Sequence, residues 1–127
     1  MLINSNIPKI IYSNITTEPS AEAVTLSEAK AFLKVDTSDE NDLITILSQM
    51  VEIKTGRSLI TQTRTIKMDY FPKTDTILLT NGPVLSVTSV KYYDKDEVLQ
   101  TLSASSYWVD TTSGISRIVV KDNWPSV

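Results

Sequence analysis

Asp36-Thr37-Ser38-Asp39-Glu40-Asn41-Asp42 is the densest group of carboxylates in the chain. Carboxylates at that spacing suggest a calcium loop, which needs a glycine at position 6 and a bidentate glutamate at position 12. Counting from Asp36, those positions hold Asn41 and Leu47, so the register fails. Helix capping accounts for the same residues without a metal. Thr37 or Ser38 can serve as N-cap, with Asp39, Glu40 and Asp42 in the first turn, where the helix dipole favours negative charge.

The remaining acidic residues offer less. Asp69, Asp75, Asp94, Asp96, Glu97 and Asp110 could in principle supply the two carboxylates of a glycoside hydrolase. They fall mostly in turns, and nothing in the sequence brings two of them across a cleft. Tyr92, Tyr93, Tyr107 and Trp108 could form a stacking platform for a base or a sugar. Only Lys91 and Lys95 lie near them, so sheet core and interface packing is the reading preferred here. Arg57 and Arg64 bracket a helix-to-strand junction. There a guanidinium fork could hold a carboxylate of the first helix or of a neighbouring subunit.

What is missing excludes more than what is present suggests. The chain has no Cys and no His. Disulfides, Cys/His zinc sites, imidazole acid–base catalysis and the Ser-His-Asp and Cys-His nucleophile systems are therefore ruled out. Three glycines cannot build a phosphate cradle. No catalytic residue, metal ligand or cofactor site is expected.

Net charge is −3. Residues 1–62 carry 5 basic and 8 acidic side chains, and residues 63–127 carry 7 of each. Neither half resembles a surface that grips phosphate, so sequence-specific reading of DNA is not expected. No apolar run approaches the roughly 20 residues of a membrane span. The first residues make a poor secretory signal, so the sequon Asn14-Ile15-Thr16 is taken as chance.

The elements that must position these residues read as follows. Residues 1–23 show no clean period and form an N-terminal arm, punctuated by Pro8 and Pro19 but apolar through Ile10, Ile11, Tyr12 and Ile15. Residues 24–127 form one domain. Thr25 followed by Glu28 is a capping-box pattern and opens a short helix. A second helix runs to about Lys54. Leu43, Ile46, Leu47, Met50, Val51 and Ile53 lie on one broad face, with Thr45, Ser48, Gln49 and Glu52 opposite. Gly56 suits the left-handed position that stops a helix. The pattern then changes to period 2. It gives short strands around Thr65–Tyr70, Ile77–Leu79, Val84–Tyr93, Val98–Leu102, Tyr107–Val109 and Ile115–Val120. Asp94-Lys95-Asp96-Glu97 is a hairpin turn. The expected class is α+β: a helical pair between about 25 and 56, then about six short antiparallel strands between 59 and 120.

Taken together, these segments resemble one family. LSEAKAFLKVDTSDENDLITILSQMVEIKTGRSLITQT, DYFP, ILLTNGPVLSVTSVKYYDKD and YWVDTTSGISRIV occur in the order found in head–tail connector proteins, also called adaptor or head-completion proteins. These belong to long-tailed phages, prophages and gene transfer agents. The likeness spans about Ala23 to Trp124. Its most specific parts are Lys34-Val35-Asp36 with its acidic follow-on, Thr55-Gly56-Arg57, and Gly82-Pro83-Val84 leading into Ser86–Val90.

The resemblance implies a structural virion protein. Its subunits would form a ring below the portal, extend the DNA channel and join head to tail, after assembly in the host bacterial cytoplasm. The implied partners are further copies of the chain, the portal protein, downstream connector or tail proteins, and DNA passing through non-specifically. No membrane is involved. Candidate contact residues are Ile10, Ile11 and Tyr12 of the arm, Arg57 and Arg64 at the junction, and Lys95 and Asp96 at a hairpin tip. In the family the chain continues past the Trp-Pro step, here Trp124-Pro125, into further strand and a C-terminal helix. The domain over 24–127 is thus expected to be a short form or to lack that segment. Two rival readings remain: a small soluble binding module using the Tyr/Trp face, and a carboxylate-dependent hydrolase.

Overall fold

A computed structural model describes residues 10–33, 41–112 and 114–127 of the chain. The side chains of residues 10–12, 33 and 41–43 fall outside that description. The architecture is α+β, as expected. The order is β1 (Ile10–Thr17), α1 (Leu26–Leu33), α2 (Asn41–Thr55), β2 (Thr63–Met68), β3 (Thr76–Leu78), β4 (Val90–Tyr93), β5 (Leu99–Leu102), a single 3-10 turn, β6 (Tyr107–Asp110) and β7 (Arg117–Val120). The strands make three small sheets, ordered β1-β2, β3-β7-β6 and β4-β5. Among the described residues, no helix is long and apolar enough to cross a membrane.

The chain divides into two compact units. One is Ile15–Arg64; the other is Thr65–Val127 together with residues 10–14.

In the first unit, the capping box forms as its sequence demands. The Glu28 carboxylate accepts from the Thr25 backbone N–H at 2.9 Å and from its hydroxyl at 2.7 Å, while the Thr25 Oγ1 accepts from the Glu28 N–H at 3.2 Å. These bonds satisfy donors that would otherwise be orphaned at the start of α1. The expected caps of α2, Thr37 and Ser38, and most of the acidic cluster lie outside the described residues. At its other end, α2 stops at Gly56, whose φ of +64° is free to glycine and strained for other residues.

The second unit holds the core. Ile77, Leu79, Tyr107 and Ile118 are buried together, with Ile66, Met68, Phe71, Val84, Val87, Val90, Leu102 and Trp124 packed around them. Antiparallel register sets Ile77 and Val109 on either side of Ile118 in the three-stranded sheet. In the hairpin, Val90 pairs with Leu102 and Tyr92 with Gln100. These are the half-buried positions of β4 and β5, so period 2 is realised there.

Two expectations are corrected. The arm is not irregular throughout: Ile10–Thr17 is a strand, β1, which pairs with β2. Its Ile, Tyr and Thr residues have strong β propensity, and pairing supplies the backbone partners that a lone arm lacks. The long strand expected over Val84–Tyr93 is a ladder only from Val90. Val84 instead donates its N–H to the Ser116 hydroxyl at 3.4 Å, and Leu85 turns outward.

Candidate interaction surfaces

The sequence divides α2 into an apolar face and a polar face. In the structure the apolar face is the exposed one. Thr45, Ser48 and Glu52 are half-buried, whereas Ile46, Leu47, Met50, Val51 and Ile53 are exposed. The polar face is held by its own chain. The Thr45 hydroxyl donates to Glu22 Oε1 at 2.7 Å, and Glu52 Oε1 accepts from the Leu59 N–H at 2.7 Å. Between α2, residues 18–23 and residues 59–62 lies a groove of about 390 Å³. It is lined by Glu18, Glu22 and Glu52 among polar and small residues and the aliphatic Ile15, Leu59 and Ile60, with no basic side chain. Gln62 also lines it, but both its amide atoms are buried without a hydrogen-bond partner.

The sequence carries a signal for this orientation. A helix face meant for water is usually charged. From Leu43 to Ile53, the polar side of α2 carries Glu52 as its one charge, beside Thr45, Ser48 and Gln49. On α1, Phe32 is 87% exposed. A two-helix unit thus carries six large apolar side chains outward, more than scattered surface residues account for.

The second unit has a different outward surface. In the three-stranded sheet, Trp108 sits beside Val119 and Asp110 beside Arg117. Trp108 is 59% exposed, with the Lys121 ammonium 5.3 Å from its ring centroid. Arg117 Nε donates to Asp110 Oδ2 at 3.0 Å. The four aromatics therefore do not form one platform. Tyr107 belongs to the core, Tyr92 packs edge-on to Phe71 at 5.8 Å, and Tyr93 and Trp108 face outward. Trp124 stacks on Phe71 at 5.0 Å and donates its Nε1 to the Thr74 carbonyl at 2.8 Å.

The other expected contact residues are dispersed. Ile10, Ile11 and Tyr12 begin β1, where their side chains are not described. Arg57 is exposed just after Gly56, and Arg64 is half-buried in β2. Lys95 and Asp96 are exposed at the tip of the β4–β5 hairpin. Arg57 and Arg64 belong to the first unit, and Lys95 and Asp96 to the second. The expected fork between a junction arginine and a carboxylate of α1 meets competition, because Glu28 is engaged by Thr25.

Two carboxyl groups are tuned by local hydrogen bonds. Hydrogen bonds from the Thr25 backbone and hydroxyl hold Glu28 below its ordinary range. The Val98 N–H, and then the Gln100 amide, do the same to Asp94. Both shifts favour the ionised form, the opposite of what a proton donor needs at neutral pH.

Comparison with protein-family models, curated proteins and solved structures found no match to this chain.

Proposed function

We propose that this protein is a structural subunit of a phage or prophage virion, a head–tail connector that forms a ring below the portal. The main support is the outward apolar surface of α1 and α2, which gives the protein a reason to associate with other chains. The order and spacing of LSEAKAFLKVD, TGR and GPVLSVTSV supply the family. A ring needs a heterologous contact that repeats and closes. Unlike exposed surfaces on the two units, one helical and one a sheet bearing Trp108, are suited to such a contact.

The function is one of shape and contact, with no cofactor. Residues 15–64 hold 8 acidic and 5 basic side chains, and a negative surface beside a channel would repel phosphate and let DNA pass. The partners are further copies, the portal and the next connector or tail protein, in the virion and, before that, in the host cytoplasm. Electron microscopy of the purified protein, alone and with the portal from the same genome, tests this. Ring-shaped particles or co-purification with the portal are expected. A strictly monomeric protein that ignores the portal would refute it.

A further inference from the structure

We propose that the groove between α2, residues 18–23 and residues 59–62 binds the guanidinium of an arginine carried by another protein. All of the groove belongs to the unit Ile15–Arg64, and its volume of about 390 Å³ suits one side chain rather than a large ligand. It uses the side of α2 that bears Thr45, Ser48 and Glu52, so it is independent of the exposed apolar side.

Charge sets the sign of the occupant. Glu18, Glu22 and Glu52 line the groove, and no basic side chain does. Glu22 and Glu52 are each fixed through one oxygen, Oε1, by the Thr45 hydroxyl and the Leu59 N–H. Their Oε2 atoms, and both oxygens of Glu18, have no partner among the described residues. Three negative charges repel an anion. A metal ion is disfavoured for another reason: among the described residues no three carboxylates converge closely enough to hold one.

Gln62 gives an independent reason to expect a ligand. It lines the groove, and both its amide atoms are buried with no hydrogen-bond partner. Buried polar atoms are nearly always paired, so an orphaned amide in a groove wall points to a partner from outside the chain. Its terminal torsion is soft, and the oxygen can turn to the ligand as an acceptor.

The spread of acceptors selects arginine over lysine. They come from three separate segments, at residues 18–22, 52 and 62. A guanidinium carries five N–H donors in a planar fork and reaches several acceptors at once, whereas an ammonium is a compact point charge. Ile15, Leu59 and Ile60 supply apolar wall for the methylene stem. Glu18 and Glu22 are exposed, which leaves the groove open to a side chain from another surface.

The test is an NMR titration of the intact protein at low salt with N-acetyl-arginine amide. The Gln62 side-chain NH2 and the backbone amides of Gln49, Leu59 and Ile60 should shift together and saturate. N-acetyl-lysine amide should bind about fivefold more weakly, and the neutral citrulline analogue should not bind. Glu18→Gln, at an exposed position, should weaken arginine binding by about threefold. Gln62→Leu should weaken it by about fivefold. Asp96→Asn, at an exposed position in the other unit, should leave it unchanged. Absence of saturable shifts in the groove would overturn the proposal. So would equal binding of the lysine or citrulline analogue, or binding indifferent to both Glu18→Gln and Gln62→Leu. Ring formation is read separately by microscopy, so either result can fail alone.

Discussion

Glu52 holds Leu59: its carboxylate accepts the Leu59 N–H at 2.7 Å, while its backbone carbonyl accepts from Gly56 at 2.8 Å and Arg57 at 3.3 Å. One residue thus ends α2 and fixes the path of the chain leaving it. Removing the carboxylate in Glu52→Ala should cost about 1 kcal/mol. Denaturant unfolding should show that loss, and hydrogen exchange at Leu59 should quicken. Glu52→Gln keeps an acceptor and should recover most of the protection.

Asp94 plays the same part in the second unit. Its Oδ1 accepts from the N–H of Asp96 at 3.0 Å and of Val98 at 2.9 Å, and its Oδ2 accepts from Gln100 at 2.7 Å. The folded carboxyl is therefore a stronger acid than its ordinary value of 3.8. A group with a lowered folded pKa stabilises the fold above its unfolded value and loses that contribution as pH falls through the folded one. Protection of the Asp96 and Val98 amides should hold at neutral pH and decline as pH drops below 3.8. Asp94→Asn should have weaker protection at pH 7 and lose this dependence. An unchanged acid profile in that variant would contradict the assignment.

Ile118 is 5% exposed, between Ile77 and Val109 in register. Ile118→Ala should cost about 3 kcal/mol through lost burial and the cavity left behind. Leu85→Ala, at an exposed position outside any ladder, should change stability by less than about 0.5 kcal/mol. Thermal or chemical unfolding separates the two.

Gln62 buries both amide atoms without a partner. A buried unpaired polar group costs roughly 1–3 kcal/mol. Gln62→Leu should therefore be neutral or stabilise by about 1 kcal/mol in denaturant unfolding. Clear destabilisation would show that the amide has a bond in solution.

Local patterns in the chain were sufficient wherever a structure is closed by near neighbours. Thr25 and Glu28 are three apart, and their side chains meet within one turn. Gly56 stops α2 because its left-handed backbone is a property of that residue type. The Asp94–Glu97 turn and the alternation in β4 and β5 read directly, because each hairpin partner lies a few residues away. The lack of His and Cys likewise excluded whole classes of chemistry without any fold.

Other features depended on distant parts of the chain. The 3.6-residue period of α2 shows that it has an apolar face but not which way that face points. The bonds from Glu22 and Leu59 decide that, and Glu22 lies 23 residues from Thr45. β1 was hidden because a strand at a chain's start is defined by its partner, here β2, some 50 residues on. The division of neighbouring Tyr107 and Trp108 between core and surface follows from the pairing of β6 with β7. Side chains alternate across a strand, and only the sheet's neighbours determine which side becomes the interior.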